Sequence, residues 1–174
     1  VESKSNEMNA IRALVQLLEL KGALVSIDAM GCKREIARRM IDRGGDYVLA
    51  TKKHQPELLP SVTEAFEATA LPKTQNADKA GPPNFDRHED TDGAHGRIEI
   101  RTTTVIPADD EWIPQHVRQK WDGIATCIEV HAVRELNGKR TEERRYYISS
   151  RALTAEAAGS AVRSHWRVEN GLHY

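Results

Sequence analysis

Residues Ala23 to Lys33 read ALVSIDAMGCK, and the fold class turns on this stretch. Ala23 to Ile27 is too short for a helix and largely apolar on both faces, which predicts a buried strand. Asp28 follows directly and Gly31 permits a turn, so the run delivers one carboxylate to the carboxyl end of a strand. Open α/β sheets place their chemistry at that end. Downstream, Ile36, Ala37, Met40 and Ile41 recur at helical spacing, predicting a helix from about Lys33 to Arg43 that Gly44 and Gly45 stop. Tyr47 to Thr51, YVLAT, predicts a second buried strand. Strand, helix, strand is the pattern of a parallel crossover unit. It sets Lys52, Lys53, His54 and Gln55 on the same sheet edge as Asp28.

Outward from this unit, Met8, Ile11, Leu14, Val15 and Leu18 line one face of an amphipathic helix over Asn6 to Lys21, with Ser5 as N-cap and Gly22 just past its end. A third helix, Pro56 to about Ala70, presents Leu59, Val62 and Phe66, and tolerates Pro60 near its first turn. Leu71 to Gly96 carries three prolines, several Asp and Asn and few apolar residues, and reads as a long loop or a disordered link. The pattern then turns to period two. Arg97 to Val105 is one strand, and Ile124 to Glu135 and Lys139 to Ser149 flank Asn137-Gly138, a strong hairpin signal. Trp112 to Trp121 reads as a short helix or irregular segment. A last helix starts near Leu153, capped by Thr154, and runs to about Asn170, with Gly159 as a point where it could break. No internal repeat is visible.

The chain has 174 residues, 39% hydrophobic and 29% charged, with a net charge of −1. This fits one globular domain, or one with an insertion. No apolar run is long enough for a bilayer and no signal-peptide pattern opens the chain, so no membrane role is expected. Two cysteines, Cys32 and Cys127, make no disulfide framework, and a cytoplasmic setting is expected. The chain reads as a fragment of a longer protein. Asn76 to Glu111 holds nine acidic and four basic residues, whereas Arg134 to Arg167 holds eight basic and four acidic. A polyanion would prefer the second region.

Asp28 has two readings: a carboxylate capping its turn, or one ligand of a metal site. Its candidate partner is Glu169 in SHWRVENGLHY. A strand-end carboxylate and a helical one flanked by Arg and His can coordinate divalent cations through oxygen, and such sites run phosphoryl transfer. Helical spacing puts Val162, His165, Glu169 and His173 on one stripe, with Arg163, Arg167 and Asn170 beside it. His165, Glu169 and His173 could ligate zinc instead, but the helical zinc-hydrolase spacing is absent. HEDTDGAH, His88 to His95, lacks the full calcium-loop pattern and reads as a solvated loop. Cys32 stands near a helix start, which can lower a thiol pKa, yet a buried or incidental thiol is the better reading.

Several stretches converge on one family. KSNEMNAI (Lys4 to Ile11), LVSIDAMGCKREIA (Leu24 to Ala37), GGDYVLATKKHQ (Gly44 to Gln55), HGRIEIR (His95 to Arg101), YYISS (Tyr146 to Ser150) and VRSHWRVENGLHY (Val162 to Tyr174) resemble, in order, the DDE transposases of bacterial insertion sequences, in the group that includes the H-repeat-associated proteins. The resemblance implies an α/β fold: a ribonuclease-H-like mixed sheet with flanking helices, interrupted by a β-rich insertion. Residues 1–70 would form the first part of the core, 71–146 the loop and insertion, and 147–174 the end of the core with its glutamate-bearing helix. It implies two Mg²⁺ (or Mn²⁺) ions held by three carboxylates, of which Asp28 matches the second and Glu169 the third. The first, in an Asp-Gly-Lys motif, has no counterpart here. Lys33, His54 and Tyr174 stand where the family usually has Gln, Asn and Trp.

The implied activity is metal-dependent DNA cleavage and strand transfer, with DNA (element ends and target) as partner and a homo-oligomer left open. Lys52, Lys53, Arg163 and Arg167 are then the candidates for phosphate contacts. His165 and Asn170 would orient Glu169 or the DNA backbone. A truncated, inactive transposase that still binds DNA, and a metal-dependent nuclease of the same fold, stay open as alternatives.

Overall fold

The structure is a computed structural model that describes residues 2–28, 32–70, 84–94 and 97–171, the side chains of 2–7, 70, 94 and 165–171 excepted. Eleven elements follow in chain order: α1 (Glu2–Leu17), β1 (Leu24–Ile27), α2 (Arg34–Asp42), β2 (Asp46–Ala50), α3 (Leu58–Ala70), β3 (Asp86–Ala94), β4 (Arg97–Pro107), α4 (Gln115–Arg118), β5 (Thr126–Leu136), β6 (Lys139–Ser149) and α5 (Ala155–Gly171). The strands form one sheet in the order β1-β2-β6-β5-β4-β3.

β1 and β2 pair in parallel, Leu24 opposite Asp46 through Ile27 opposite Leu49. The crossover unit expected from the sequence is therefore present, and the segments after both strands leave from the same sheet edge. β2 buries Tyr47, Val48 and Leu49. β1 is only half-buried along its length, because among the described residues it has a partner on one side alone. Among the described residues the expected buried strand is an edge.

β2 also pairs antiparallel with β6, Val48 opposite Ser149 and Ala50 opposite Tyr147, so the period-two strands continue the same sheet. Two of the motifs meet at this join. Ser150 Oγ accepts the Tyr47 amide at 2.9 Å and donates to Asp46 Oδ1 at 2.8 Å, and Arg151 pairs with Asp46 at 2.8 Å. These bonds fix the point from which the chain turns into α5. The β5–β6 hairpin closes through Asn137 (φ 52°) and Gly138 (φ 74°), both in the left-handed region that this two-residue turn requires.

An apolar core lies on each face of the sheet. On one, Val15 of α1, Ile36 and Met40 of α2, Val62 and Phe66 of α3 and Val117 of α4 pack over Leu49, Ile106 and Ile148. On the other, α5 supplies the cover among the described residues, with Ala155, Ala158 and Val162 against Val48, Val105, Ile128 and Tyr147. The repeat of 155, 158 and 162 is the helical stripe that faces a sheet.

Four expectations need correction. The first helix lies earlier than Asn6 to Lys21, leaving Ser5 inside it and Leu18 beyond its end, half-exposed. The third begins at Leu58 rather than Pro56. Asp86–Ala94, read as loop, is a nine-residue edge strand paired with β4 from Asp86 opposite Val105 to Ala94 opposite Arg97. Charged residues suit an edge, where they discourage pairing with another chain, and several of these carboxylates have partners on α5 and β4. α5 does not break at Gly159; a Cβ there would stand 2.9 Å from Thr103 Oγ1, so the missing side chain lets the helix lie close on β4. The rest of the expected loop, residues 71–83, lies outside the described residues.

Candidate active site

Leu24 packs with the α5-side core, whereas Val25 and Ile27 pack with the other. Strand alternation then puts Ser26 and Asp28 on the α5 side. There Asp28 lines a cleft of about 720 Å³ together with Lys52, Lys53 and His54 from the segment after β2, Arg144 and Arg145 of β6, and Val162 of α5. The sheet edge thus joins the carboxylate to three of the residues that sequence reasoning placed beside it.

A buried side chain ties the two edge segments together. Gln55 Nε2 donates to the Cys32 carbonyl at 2.8 Å, and Gln55 Oε1 accepts the Lys52 amide at 2.8 Å. Thr51 donates through its backbone N–H and its hydroxyl to the Tyr146 carbonyl, at 2.8 and 3.0 Å. Gln55→Leu is expected to leave the Lys52 amide and the Cys32 carbonyl unpartnered and to cost about 1 to 2 kcal/mol. Thermal unfolding and hydrogen exchange at the Lys52 amide test this; unchanged protection of that amide would show that the staple does not hold.

Burial pushes the Cys32 thiol up to about 12, outweighing its contact with Gln55 and the charge of Lys33. Cys127, buried likewise, is pushed up to about 12. Neither is poised as a nucleophile at neutral pH.

Sequence reasoning did not single out Arg144 or Arg145. Arg144 Nη1 donates to Glu129 Oε2 at 3.0 Å, and Arg145 Nε donates to Glu143 Oε1 at 2.8 Å. The basic excess of Arg134 to Arg167 marks their region; only the β2–β6 register, which no local pattern encodes, brings them to Asp28.

α5 is fixed at several points before it reaches its glutamate. Its Ala155 amide donates to Asp86 Oδ2 at 2.7 Å and its Ala157 amide to Thr154 Oγ1 at 3.2 Å. Arg163 donates to Asp90 Oδ2 at 2.6 Å and to Asp92 Oδ2 at 3.2 Å. Arg163, expected at a DNA phosphate, is here engaged by two carboxylates of β3. Glu169 lies in α5 seven residues beyond Val162, two turns or about 10 Å along the axis. The side chains of His165, Arg167, Glu169 and Asn170, and all of His173, lie outside the described residues, so the zinc stripe does too. Within HEDTDGAH, Asp90 and Asp92 serve the arginine clasp, and His95 lies outside the described residues.

Among the described residues no group of three or more His, Cys, Asp or Glu could hold a metal ion, and none of the described helices is long and apolar enough to cross a membrane. The donor available at the cleft is a hard carboxylate oxygen, the chemistry that Mg²⁺ and Mn²⁺ prefer.

A six-stranded mixed sheet with helices on both faces is compatible with the ribonuclease-H-like fold of transposases. The family model described as "Transposase DDE domain" matches residues 1–174, and the chain belongs to that family. It is 36% identical to the "H repeat-associated putative transposase YhhI" of Escherichia coli (strain K12) over 99% of this chain and 44% of that protein. "Putative protein YbfL" of the same organism gives the same three figures. An "Uncharacterized protein in dhlA 3'region" of Xanthobacter autotrophicus is 38% identical over 86% of this chain and 46% of its own length. The chain thus spans less than half the length of these relatives. No solved structure matches it significantly.

Proposed function

We propose that this chain carries two of the three catalytic carboxylates, Asp28 and Glu169, of an insertion-sequence transposase that cuts DNA at the element's ends and joins them to a target. The observation that carries this reading is the single cleft that gathers Asp28, Lys52, Lys53 and the glutamate-bearing helix at Val162. The donor set fits Mg²⁺ or Mn²⁺. Asp28 and Glu169 would hold the ions, which when bound supply charge neutralisation at the phosphate and activation of the attacking oxygen.

The chain's own residues do the rest. Lys52 and Lys53 are exposed at the mouth of the cleft, where ammonium groups draw the DNA backbone in and hold the scissile phosphodiester against Asp28. Arg167, His165 and Asn170 share the last turns of α5 with Glu169 and orient it or contact the backbone. Arg163 serves the same end from the side, by clasping α5 to β3. The edge of β1 that has no partner among the described residues is where a strand bearing the first carboxylate would pair. The protein would act in the cytoplasm, where bacterial DNA lies.

The test is a cleavage and strand-transfer assay on the complete protein, with element-end duplexes and Mg²⁺ or Mn²⁺. Joined products are expected. Cleavage without joining would replace transposase with nuclease, and binding without cleavage would indicate an inactive remnant.

A further inference from the structure

A second concentration of charge lies away from Asp28, on the α5 side of β4 and β5. Glu99 is 1% exposed, and three guanidiniums converge on it. Arg101 Nε is 2.8 Å and Arg134 Nε 3.1 Å from Glu99 Oε1, and Arg97 donates to Oε2. Burial pushes the Glu99 carboxyl up, but Arg97, Arg134 and Arg101 outweigh it and hold it below the usual carboxylate range. One carboxylate cannot neutralise three arginines. Asp90 takes part of the charge of Arg101, at 3.7 Å, but Arg163 claims the same oxygen at 2.6 Å. Arg97 and Arg134 remain 51% and 41% exposed. Arg134 Nε is spent on Glu99, and Arg101 Nη1 is buried with only the distant Asp90 oxygen facing it. Guanidiniums fixed by a buried carboxylate, two of them still about half-exposed, are preorganised for an anion with several oxygens.

The surroundings say which anion. A cavity of about 410 Å³ lies over the cluster, and Glu143, Arg145, Tyr147 and Val162 line both it and the Asp28 cleft. The two cavities thus share a wall, with Arg145 in it. Arg134 is opposite Thr141 and Glu99 opposite Arg134, whereas Tyr147 is opposite Ala50 beside the cleft. Strand rise and spacing then put the cluster about 20 Å along and about 20 Å across the sheet from Asp28. The separation is about 28 Å, or about eight base pairs at 3.4 Å each.

We propose that Arg97, Arg101 and Arg134, held by Glu99, form a second phosphate subsite that takes the backbone of the DNA duplex about eight base pairs from the phosphodiester at Asp28. This rests on the DNA reading above and adds to it a place and a distance.

The experiment is fluorescence-anisotropy titration of the complete protein with a duplex of unrelated sequence, across a range of salt. Each lost phosphate contact lowers the slope of log affinity against log salt by about 0.9. Arg97→Gln and Arg134→Gln are each expected to lower the slope by about that amount and to weaken binding about three- to tenfold at moderate salt. The effect should vanish on a duplex too short to reach from the cleft. Lys52→Ala serves as the control at the cleft itself. If Lys52→Ala lowers the slope and Arg97→Gln does not, the subsite is wrong and the DNA reading stands. If the unsubstituted protein shows no salt-dependent binding, both fall. Inorganic phosphate that saturates the cluster without releasing duplex would assign it to a free anion and overturn the proposal. Should Arg134→Gln unfold, Arg97→Gln carries the test, because it changes a half-exposed side chain and leaves Glu99 two partners.

Discussion

Asp28→Asn in the complete protein is expected to lower DNA cleavage by at least about a thousandfold while changing duplex affinity by less than about threefold, a loss on the scale of removing a charge-stabilising group at a phosphoryl centre. The asymmetry follows from what the substitution removes. Asn keeps the volume and one oxygen of Asp but no charge, so the turn after β1 keeps its shape while the hard anionic ligand is lost. Affinity for the duplex comes from cations, and Lys52, Lys53 and the arginine cluster are untouched. Affinity should even rise slightly at low salt, because on the proposed function a negative charge leaves a cleft that takes a polyanion. Glu169→Gln is expected to do the same, which separates a shared catalytic role from a turn-capping one. A capping Asp28 would give a different pair of results: lower thermal stability for Asp28→Asn, and cleavage retained in at least one variant. Cleavage within about tenfold of the parent in either variant would remove that residue from the metal site.

The crossover unit was legible because its information is local. Ala23 to Ile27 and Tyr47 to Thr51 are short apolar runs separated by one amphipathic helix, and a strand needs little more to be recognised. The parallel pairing of β1 and β2 follows from that order, and with it the shared edge of Asp28 and Lys52. The Asn137-Gly138 hairpin was legible for the same reason, since its backbone demands those residue types. Glu169 was readable as a position on a helix, because seven residues from Val162 is two turns in any helix.

What escaped the sequence is what depends on distant partners. Asp86–Ala94 looks like solvated loop because no face of it is apolar. It is a strand because Asp86, Asp90 and Asp92 meet the α5 amide, Arg101 and Arg163, and residues up to 73 positions apart in sequence leave no common period. The partners of Arg163 escaped for the complementary reason: a helical arginine shows no carboxylate beside it until β3 is in place. Glu99 sits within an ordinary alternating strand, and only the β4–β5 register reveals that Arg134 lies opposite it. Ion-pair networks across a sheet are properties of register, and register is set by pairing.

Gly159 gives the sharpest test of how α5 is seated. A Cβ at this position would be 2.9 Å from Thr103 Oγ1, 3.6 Å from its Cβ and 3.9 Å from its Cγ2, and Thr103 is itself buried. Gly159→Ala sets two effects against each other: about 1 kcal/mol gained from helix propensity, and a comparable cost to turn the threonine hydroxyl aside. Near-neutral stability is expected. Gly159→Val adds two γ carbons to a Cβ that already meets Thr103 closely and should cost about 2 to 3 kcal/mol, a fall in Tm of about 5 to 10 °C for a chain this size. The helix can relieve the clash only by rising from β4, which strains the Arg163 clasp and shifts Glu169 ten residues further on. Cleavage should therefore fall more steeply than DNA affinity. Thr103→Ala supplies the discriminating background, because it removes Oγ1 and Cγ2 and leaves only a 3.6 Å contact. There Gly159→Ala should become stabilising by up to about 1 kcal/mol, and the cost of Gly159→Val should shrink by a similar amount, a coupling within the range for residues in contact. Equal costs in both backgrounds would mean that α5 does not rest on Thr103, and that something other than this close approach sets the height of the glutamate above the sheet.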